Sequence, residues 1–355
     1  METIRSISTH VVKAPLARPH RTASGTIDDA LLVLIDIECD EVVGRSYIFV
    51  YSPVAIASTV SLVKEIGALL IGQSLEPSRV YDELRAQFRI LGTTGMVGYA
   101  LGGIDMALWD ALALSFDVPL WRLLGGAPTP IRVYESMGMM SPGDTFAEAQ
   151  AAESAGVTAF KVKAGHGDPS QDRAVAEVLR EVAGPSGDVM FDYNQAFTPQ
   201  EACRRLAGLA DLDLAWIEEP VAADDLTGHA QVRASTTIPV QTGENLWTAA
   251  QLERVLRAGA ADLVMLDACR IGLTGWLRAA AVADAHATPL STHFYPEIST
   301  HAMCVTPTAH YVEWLDVSSS ILLDPVEVHD GAVSPGDQPG AGITWDQKAI
   351  ERYAI

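Results

Sequence analysis

The sequence predicts an α/β protein: a (β/α)7β TIM-like barrel with an N-terminal α+β capping domain that a C-terminal tail completes. Three observations predict it. From residue 131 onward, short apolar segments alternate with stretches rich in Ala, Leu, Arg and Glu, the pattern of strands and helices in turn. Functional groups collect at the C-terminal ends of those apolar segments, where a parallel barrel carries its chemistry. No Gly-rich phosphate turn follows an early strand, as an open doubly wound sheet would require.

The elements follow in order. Leu31–Glu38 and Gly44–Tyr51 read as strands separated by the turn Cys39-Asp-Glu. Three helical stretches come next. The clearest is Gly98–Phe116, with Ala100, Ile104, Ala107, Leu108 and Ala111 at helical spacing. Gly125-Gly-Ala-Pro-Thr-Pro is a concentrated breaker and separates a capping domain, 1–125, from a barrel, 126–318. Barrel strands are expected at Ile131–Ser136, Ala159–Ala164, Val189–Asn194, Leu214–Glu219, Ile238–Glu244, Ala261–Asp267, Thr288–His293 and His310–Leu315. The remainder, 319–355, contains the turn-rich Pro335-Gly-Asp-Gln-Pro-Gly-Ala-Gly-Ile and is expected to return to the capping domain.

Composition narrows the function. The 355 residues carry 24 basic and 45 acidic side chains, a net charge of −21. That deficit of positive charge disfavours nucleic acid and anionic membrane surfaces as partners. With 48% hydrophobic residues the chain has ample apolar surface for a core. No apolar run reaches the ~18–20 residues that span a bilayer, and the start, Met1-Glu-Thr-Ile-Arg-Ser-Ile, lacks the pattern of a signal peptide. The four cysteines, Cys39, Cys203, Cys269 and Cys304, are widely spaced and form no CxxC. These features predict a cytoplasmic globular protein that handles a small molecule.

The groups at the strand ends are Ser136, Lys161, Lys163, Asp192, Asn194, Glu218, Glu244, Asp267, His293 and Glu313. Singly, each has a plain reading: a helix cap or surface acid pair for Glu218-Glu219-Pro220, a salt bridge for Glu313, a structural hydroxyl for Ser136. The series carries more. In Lys161-Val-Lys163 the strand alternation places both ammonium groups on one face. Each is expected to depress the other's pKa and so prepare a general base. Asp192, Glu218 and Glu244 end three successive strands ~4.8 Å apart, so they can converge on one hard cation. Oxygen-only ligands favour Mg²⁺, with Mn²⁺ as a substitute, over zinc. Asp267 beside His293 would fix the imidazole tautomer and raise its basicity.

This set has a common logic. Removing a proton α to a carboxylate produces an enediolate, whose charge a divalent cation neutralises in part. Lys161 and a protonated Glu313 would donate to the same carboxylate. Lys163 and His293, as bases on opposite faces, would racemise or epimerise the centre. If one of them protonates a leaving β-hydroxyl instead, the same site dehydrates.

The runs Phe160-Lys-Val-Lys, Phe191-Asp-Tyr-Asn-Gln, Trp216-Ile-Glu-Glu-Pro, Thr242-Gly-Glu-Asn, Leu266-Asp-Ala-Cys-Arg-Ile-Gly, Ser291-Thr-His and Tyr311-Val-Glu resemble the enolase superfamily, and within it the mandelate racemase subgroup. Ile104-Asp-Met-Ala-Leu-Trp-Asp and Gln338-Pro-Gly-Ala-Gly-Ile extend the resemblance over nearly the whole chain. It implies Asp192, Glu218 and Glu244 as Mg²⁺ ligands, Lys163 as the (S)-face base, and His293 with Asp267 as the (R)-face base. Lys161 and Glu313 match the groups that hold the substrate carboxylate, and Asn194 a partner of the α-hydroxyl. Lys or His bases with Mg²⁺ are a known pattern of this superfamily. The resemblance also implies a homo-oligomer, an octamer or a smaller even assembly.

Substrate identity is expected to depend on the loop Arg18–Ile27, where Thr22, Ala23, Gly25 and Thr26 match the subgroup and Ile27 ends the segment. His20 and Ser24, however, stand where its mandelate pocket carries apolar valines. Tyr51 and Leu315 match that pocket and favour an aromatic 2-hydroxy acid, whereas the polar segment favours a hydroxylated chain. Three readings stay open: a racemase of mandelate or a related 2-hydroxy acid, a sugar-acid dehydratase, and a non-catalytic binding protein on the same fold.

Overall fold

The computed structural model describes residues 2–22, 25–165 and 167–355. The chain begins with an antiparallel sheet of β1 (Ser6–Thr22), β2 (Gly25–Glu38) and β3 (Val43–Phe49), in that order. The apolar run Leu32–Ile35 is buried on both faces of β2. β1 escaped the sequence reading because Pro15 and Pro19 lower its strand propensity. As an edge strand it tolerates them: pairing shifts register between Pro15 and His20, then resumes as His20 with Ile27 and Thr22 with Gly25. Residues 20–22 and 25–27 are therefore paired arms of a long hairpin rather than loop.

Helices α1 (Ile56–Ala68) and α3 (Gly95–Ser115) pack on this sheet, α2 (Pro77–Gln87) packs on α3, and α4 (Leu120–Leu123) leads out of the domain. By length and composition α3 is apolar enough to cross a membrane, which the sequence reading did not register. Its apolarity on several sides has a packing cause, because it lies between the sheet and the barrel helix α10 introduced below.

The barrel alternates β4 (Ile131–Met137), α5 (Pro142–Glu153), β5 (Ala159–Lys163), α6 (Pro169–Ala183), β6 (Asp188–Asp192), α7 (Pro199–Ala207), β7 (Trp216–Glu218) and α8 (Leu226–Ser235). It continues through β8 (Val240–Thr242), α9 (Ala249–Arg257), β9 (Leu263–Asp267), α10 (Ala268–Ala285), β10 (Leu290–His293), α11 (Pro296–Met303) and β11 (Val312–Trp314). Neighbouring strands pair in parallel in chain order, and β11 pairs with β4. The ring closes where Leu290 N donates to Thr308 O at 2.9 Å and Thr292 N to Tyr311 O at 3.0 Å. Among the described residues the result is eight parallel strands with seven intervening helices, the predicted (β/α)7β order. Polar N-caps start most of these helices; Ser141, Asp168, Thr198, Asp225 and Thr248 each accept from a backbone N–H of the first turn. Tyr134, Met190, Trp216 and Tyr311 plug the interior with apolar surface. The polar groups above therefore stand on a dry floor.

The joint between the capping domain and the barrel is the α3–α10 contact. A Cβ at Gly98 would overlap the Trp247 ring, and one at Gly102 would overlap the Cys269 carbonyl. Only glycine lets the helix backbone approach so closely. One turn further on, Asp105 accepts from Thr274 N at 2.8 Å and from Thr274 Oγ1 at 2.7 Å. The tail adds β12 (Ala332–Val333), paired with β4, and α12 (Gln347–Tyr353). It meets the capping domain where Ala341 N donates to Asp110 Oδ1 at 2.6 Å and Trp345 Nε1 to Asp36 Oδ1 at 2.8 Å. Both aspartates of the Ile104–Asp110 run are thus structural anchors.

Candidate active site

Each barrel strand delivers its polar group to one end because the chain leaves the sheet there. The register aligns them directly: Ser136 with Lys161, Lys163 with Asp192, Asp192 with Glu218, and His293 with Asp267. Five expected strands stop one or two residues earlier than predicted. Glu244 follows β8 by two residues, after Gly243 at φ 136°, and Asn194 follows β6 by two at φ 43°. Leu315 likewise lies just past β11. Leaving the strand frees these side chains from the pleat and lets Glu244 swing inward.

Asp192, Glu218 and Glu244 are buried, and one oxygen from each lies within 4.8 Å of the others. Three carboxylates and no softer ligand fit a hard divalent cation with coordination positions left open for substrate oxygens. Lys161 and Lys163 point to this cluster as the alternation requires. The Lys161 ammonium, 1% exposed, sits 2.9 Å from Glu218 and 2.7 Å from Glu313, and 5.0 Å above the centre of the Tyr134 ring. Lys163 donates to Asp192 Oδ2.

The expected net depression of the two lysines does not occur in these surroundings, although Lys161 does lower Lys163. Burial lowers both, but Glu218 and Glu313 around Lys161, and Asp192 beside Lys163, outweigh it and raise them. The attraction of these carboxylates exceeds the repulsion that Lys161 exerts on Lys163. Glu313 also departs from expectation. Burial favours its protonated form, yet Lys161, His293 and Lys163 together hold it ionised, below the usual carboxylate range. Ser136 Oγ donates to it at 2.8 Å, and Phe294 N at 3.3 Å.

His293 Nδ1 lies 2.7 Å from Asp267 Oδ2, while the other Asp267 oxygen caps α10 by accepting from Arg270 N at 2.9 Å. Anchored at both oxygens, Asp267 cannot turn away, so Nε2 is the nitrogen presented to the cavity, 3.2 Å from Glu244. Burial lowers the imidazole pKa, but Glu244, Asp267 and Glu313 override that and raise it to about 9.

These groups surround a cavity of about 380 Å³ between barrel and capping domain. Lys163, Glu244, His293, Glu313, Ser136 and Asn194 line it, whereas Lys161, Asp192, Glu218 and Asp267 lie in or behind its buried floor. His20, Thr22, Ile27, Tyr51 and Leu315 form the opposite wall; Ala23 and Ser24 fall outside the described residues. His20 is 7% exposed, and burial, reinforced by Lys163, lowers its pKa to about 4, so it faces the cavity as a neutral ring. Leu16, Phe49, Phe294 and Val317 add apolar surface.

Gln195, Asn245 and Arg270 also line the cavity and carried no role in the sequence reading. All three sit inside the quoted runs Phe191–Gln195, Thr242–Asn245 and Leu266–Gly272, so their positions were visible but their function was not. They converge from different strands, and no local pattern records that.

Fold and site define a capped (β/α)7β barrel with a carboxylate cation centre flanked by a lysine and a histidine. Residues 6–125 match the mandelate racemase/muconate lactonizing enzyme N-terminal domain, and 144–349 the enolase C-terminal domain-like family. The chain belongs to the mandelate racemase/muconate lactonizing enzyme group of the enolase superfamily. It is 30% identical to the 3,6-anhydro-α-L-galactonate cycloisomerase of Streptomyces coelicolor over 99% of each chain. With the L-talarate/galactarate dehydratase of Salmonella typhimurium it shares 29% identity over 81% of this chain and 73% of that protein. The crystal structure of an enolase from Bradyrhizobium complexed with magnesium and mandelic acid superposes with a TM-score of 0.96 at 43% identity, covering 100% of this chain and 99% of that one.

Proposed function

We propose that the protein is a Mg²⁺-dependent enzyme that abstracts the α-proton of a carboxylate, and that it racemises mandelate or a related 2-hydroxy acid. The observation that carries this reading is the placement of two bases. The acids of β6 to β8 form one arc of the barrel mouth, and Glu313, Ser136 and Lys161 form the facing arc. Lys163 and His293 stand at the two junctions, so a substrate lying between the arcs meets one base on each face.

Asp192, Glu218 and Glu244 would hold the Mg²⁺, which when bound polarises the substrate carboxylate as a Lewis acid and offsets the negative charge that raises Lys163 and His293. The remaining work falls to the protein. Lys161 offers an ammonium donor to the substrate carboxylate, steadied by Glu313. Asn194, whose own N–H is tied to Asp192 Oδ1 at 2.7 Å, presents its amide to the α-hydroxyl. Lys163 Nζ removes the proton from the (S)-substrate, and His293 Nε2 returns one from the opposite face. For the (R)-substrate the roles reverse. The apolar wall of Leu16, Phe49, Tyr51 and Leu315 suits an aryl group, in keeping with the mandelic acid complex of the Bradyrhizobium relative.

A second reading, dehydration of a sugar acid, is favoured by polar groups lining the same cavity, His20 and Gln195, and by the dehydratase and cycloisomerase relatives. Incubation with Mg²⁺ in D₂O against a panel of 2-hydroxy acids and sugar acids separates the two. Deuterium at Cα with loss of optical rotation is the expected outcome; a 2-keto-3-deoxy acid product would replace racemisation by dehydration.

A further inference from the structure

We infer that Arg270 and Asn245 form a clamp that positions the cation ligand Glu244 and ties its geometry to the docking of the capping domain. The inference rests on the Mg²⁺ reading above. Asn245 Nδ2 donates to Glu244 Oε1 at 3.2 Å and to the two oxygens of Glu219 at 3.0 and 2.8 Å. Its Oδ1 accepts from Arg270 Nη1. The amide therefore has a single workable orientation: turned over, it would present its oxygen to two carboxylates and its N–H₂ to a guanidinium. Glu219, wholly buried at φ 37°, is an acid that α-proton abstraction does not use; it anchors Asn245 and also accepts from Thr242 Oγ1 at 3.3 Å. With Oε1 held in this way, the other Glu244 oxygen is the one left 3.2 Å from His293 Nε2.

Arg270 is itself held from outside the barrel. It is 9% exposed, its guanidinium carbon lies 5.6 Å from the Tyr99 ring centre and 5.5 Å from that of Trp247, and its Nε has no hydrogen-bond partner among the described residues. Aromatic faces thus take the place of acceptors on that side. Tyr99 belongs to α3, and its neighbour Gly98 is the residue that lets α3 press against Trp247. The path from domain docking to cation ligand is short: α3 seats Tyr99 and Trp247, these flank Arg270, Arg270 orients Asn245, and Asn245 holds Glu244. Arg270 and Asn245 are positioning residues, and their effect is to be read on the cation rather than on turnover.

The test is calorimetric titration of Mg²⁺ alone into the full chain and its variants, paired with thermal unfolding in EDTA. Arg270→Lys keeps the charge but loses the planar fork, and Asn245→Ala removes the donor. Both are expected to weaken Mg²⁺ binding ~10–100-fold, the range for outer-sphere partners of a metal ligand. A purely structural role would lower the unfolding temperature and leave affinity unmoved. Tyr99→Leu is expected to weaken affinity ~2–30-fold, the size of a cation–π contact, with recovery in Tyr99→Phe. Wild-type affinity in Arg270→Lys and Asn245→Ala overturns the clamp, and Asn245→Ala decides alone where the arginine variant does not fold. Wild-type affinity in Tyr99→Leu overturns the link to the capping domain. A wild-type protein that takes no Mg²⁺ defeats the cation reading, and the clamp with it.

Discussion

Two of the places where the capping domain meets the barrel could hardly be built more differently. At the α3–α10 joint, glycines bring backbone against backbone, and Asp105 is buried against Thr274. At the hairpin of β1 and β2 the attachment consists of Arg18 reaching Glu135 and Glu148, and of Met139 N donating to Arg21 O at 2.7 Å. Arg18 is 46% exposed. The first contact tolerates no change in volume; the second can change its side chains freely so long as the strand pairing survives. The difference teaches a division of labour. In the proposed reaction the joint borders the proton-abstraction groups, which serve any substrate, and the hairpin supplies the wall facing the substrate's variable part.

The largest expected effect probes the machinery. His293→Asn should slow exchange of the (R)-substrate by ~10²–10⁴, the usual share of a general base, while (S)-exchange continues through Lys163. Deuterium exchange monitored by NMR on each enantiomer reads this directly; equal loss on both would end the two-base assignment.

The joint is tested through pH. Burial pushes the Asp105 carboxyl up to about 7, only partly offset by the hydrogen bonds from Thr274. Because an acid raised in the folded state binds its proton more tightly there, its contribution is fully present below about 4. It is lost as pH climbs through about 7, by up to about 4 kcal/mol. Urea unfolding of wild type and Asp105→Asn across that range should show their stability difference shifting in favour of the variant as pH rises. A constant difference would mean that Asp105 does not titrate there.

Smaller effects belong to the hairpin. His20→Val removes a polar group from the cavity wall and should shift the kcat/KM ratio of aryl to polyhydroxy acids by ~10–200-fold toward aryl. An unchanged ratio would assign selectivity to Tyr51 and Leu315 instead. Arg18→Ala should cost least, about 1 kcal/mol or less, seen as a small rise in KM at constant kcat. A fall in kcat would show that the hairpin reaches the reacting centre.

The barrel was legible in the sequence because its signals are local and periodic. Lys161 and Lys163 share a face by alternation alone, and each strand carries its own polar group at or just past its end. β1 was not legible, since its pairing partner rather than its composition makes it a strand, and its prolines argued against it. The ionised state of Glu313 was equally hidden: a buried acid reads as protonated until Lys161 is found 2.7 Å away.

By itself, then, the sequence determined the order of strands and helices, the polar group at each strand end and the cation chemistry that three acids in series imply. Those follow from periodicity and residue type, which any stretch of chain carries within itself. Only the tertiary structure decided the charge states of Lys161, Lys163 and Glu313, the division of the cavity wall into apolar and polar parts, and the convergence of Arg270, Asn245 and Glu219 on one ligand. The reason is physical. Charge state and orientation depend on which groups approach within a few ångströms through a low-dielectric interior, and those neighbours come from segments far apart in the chain.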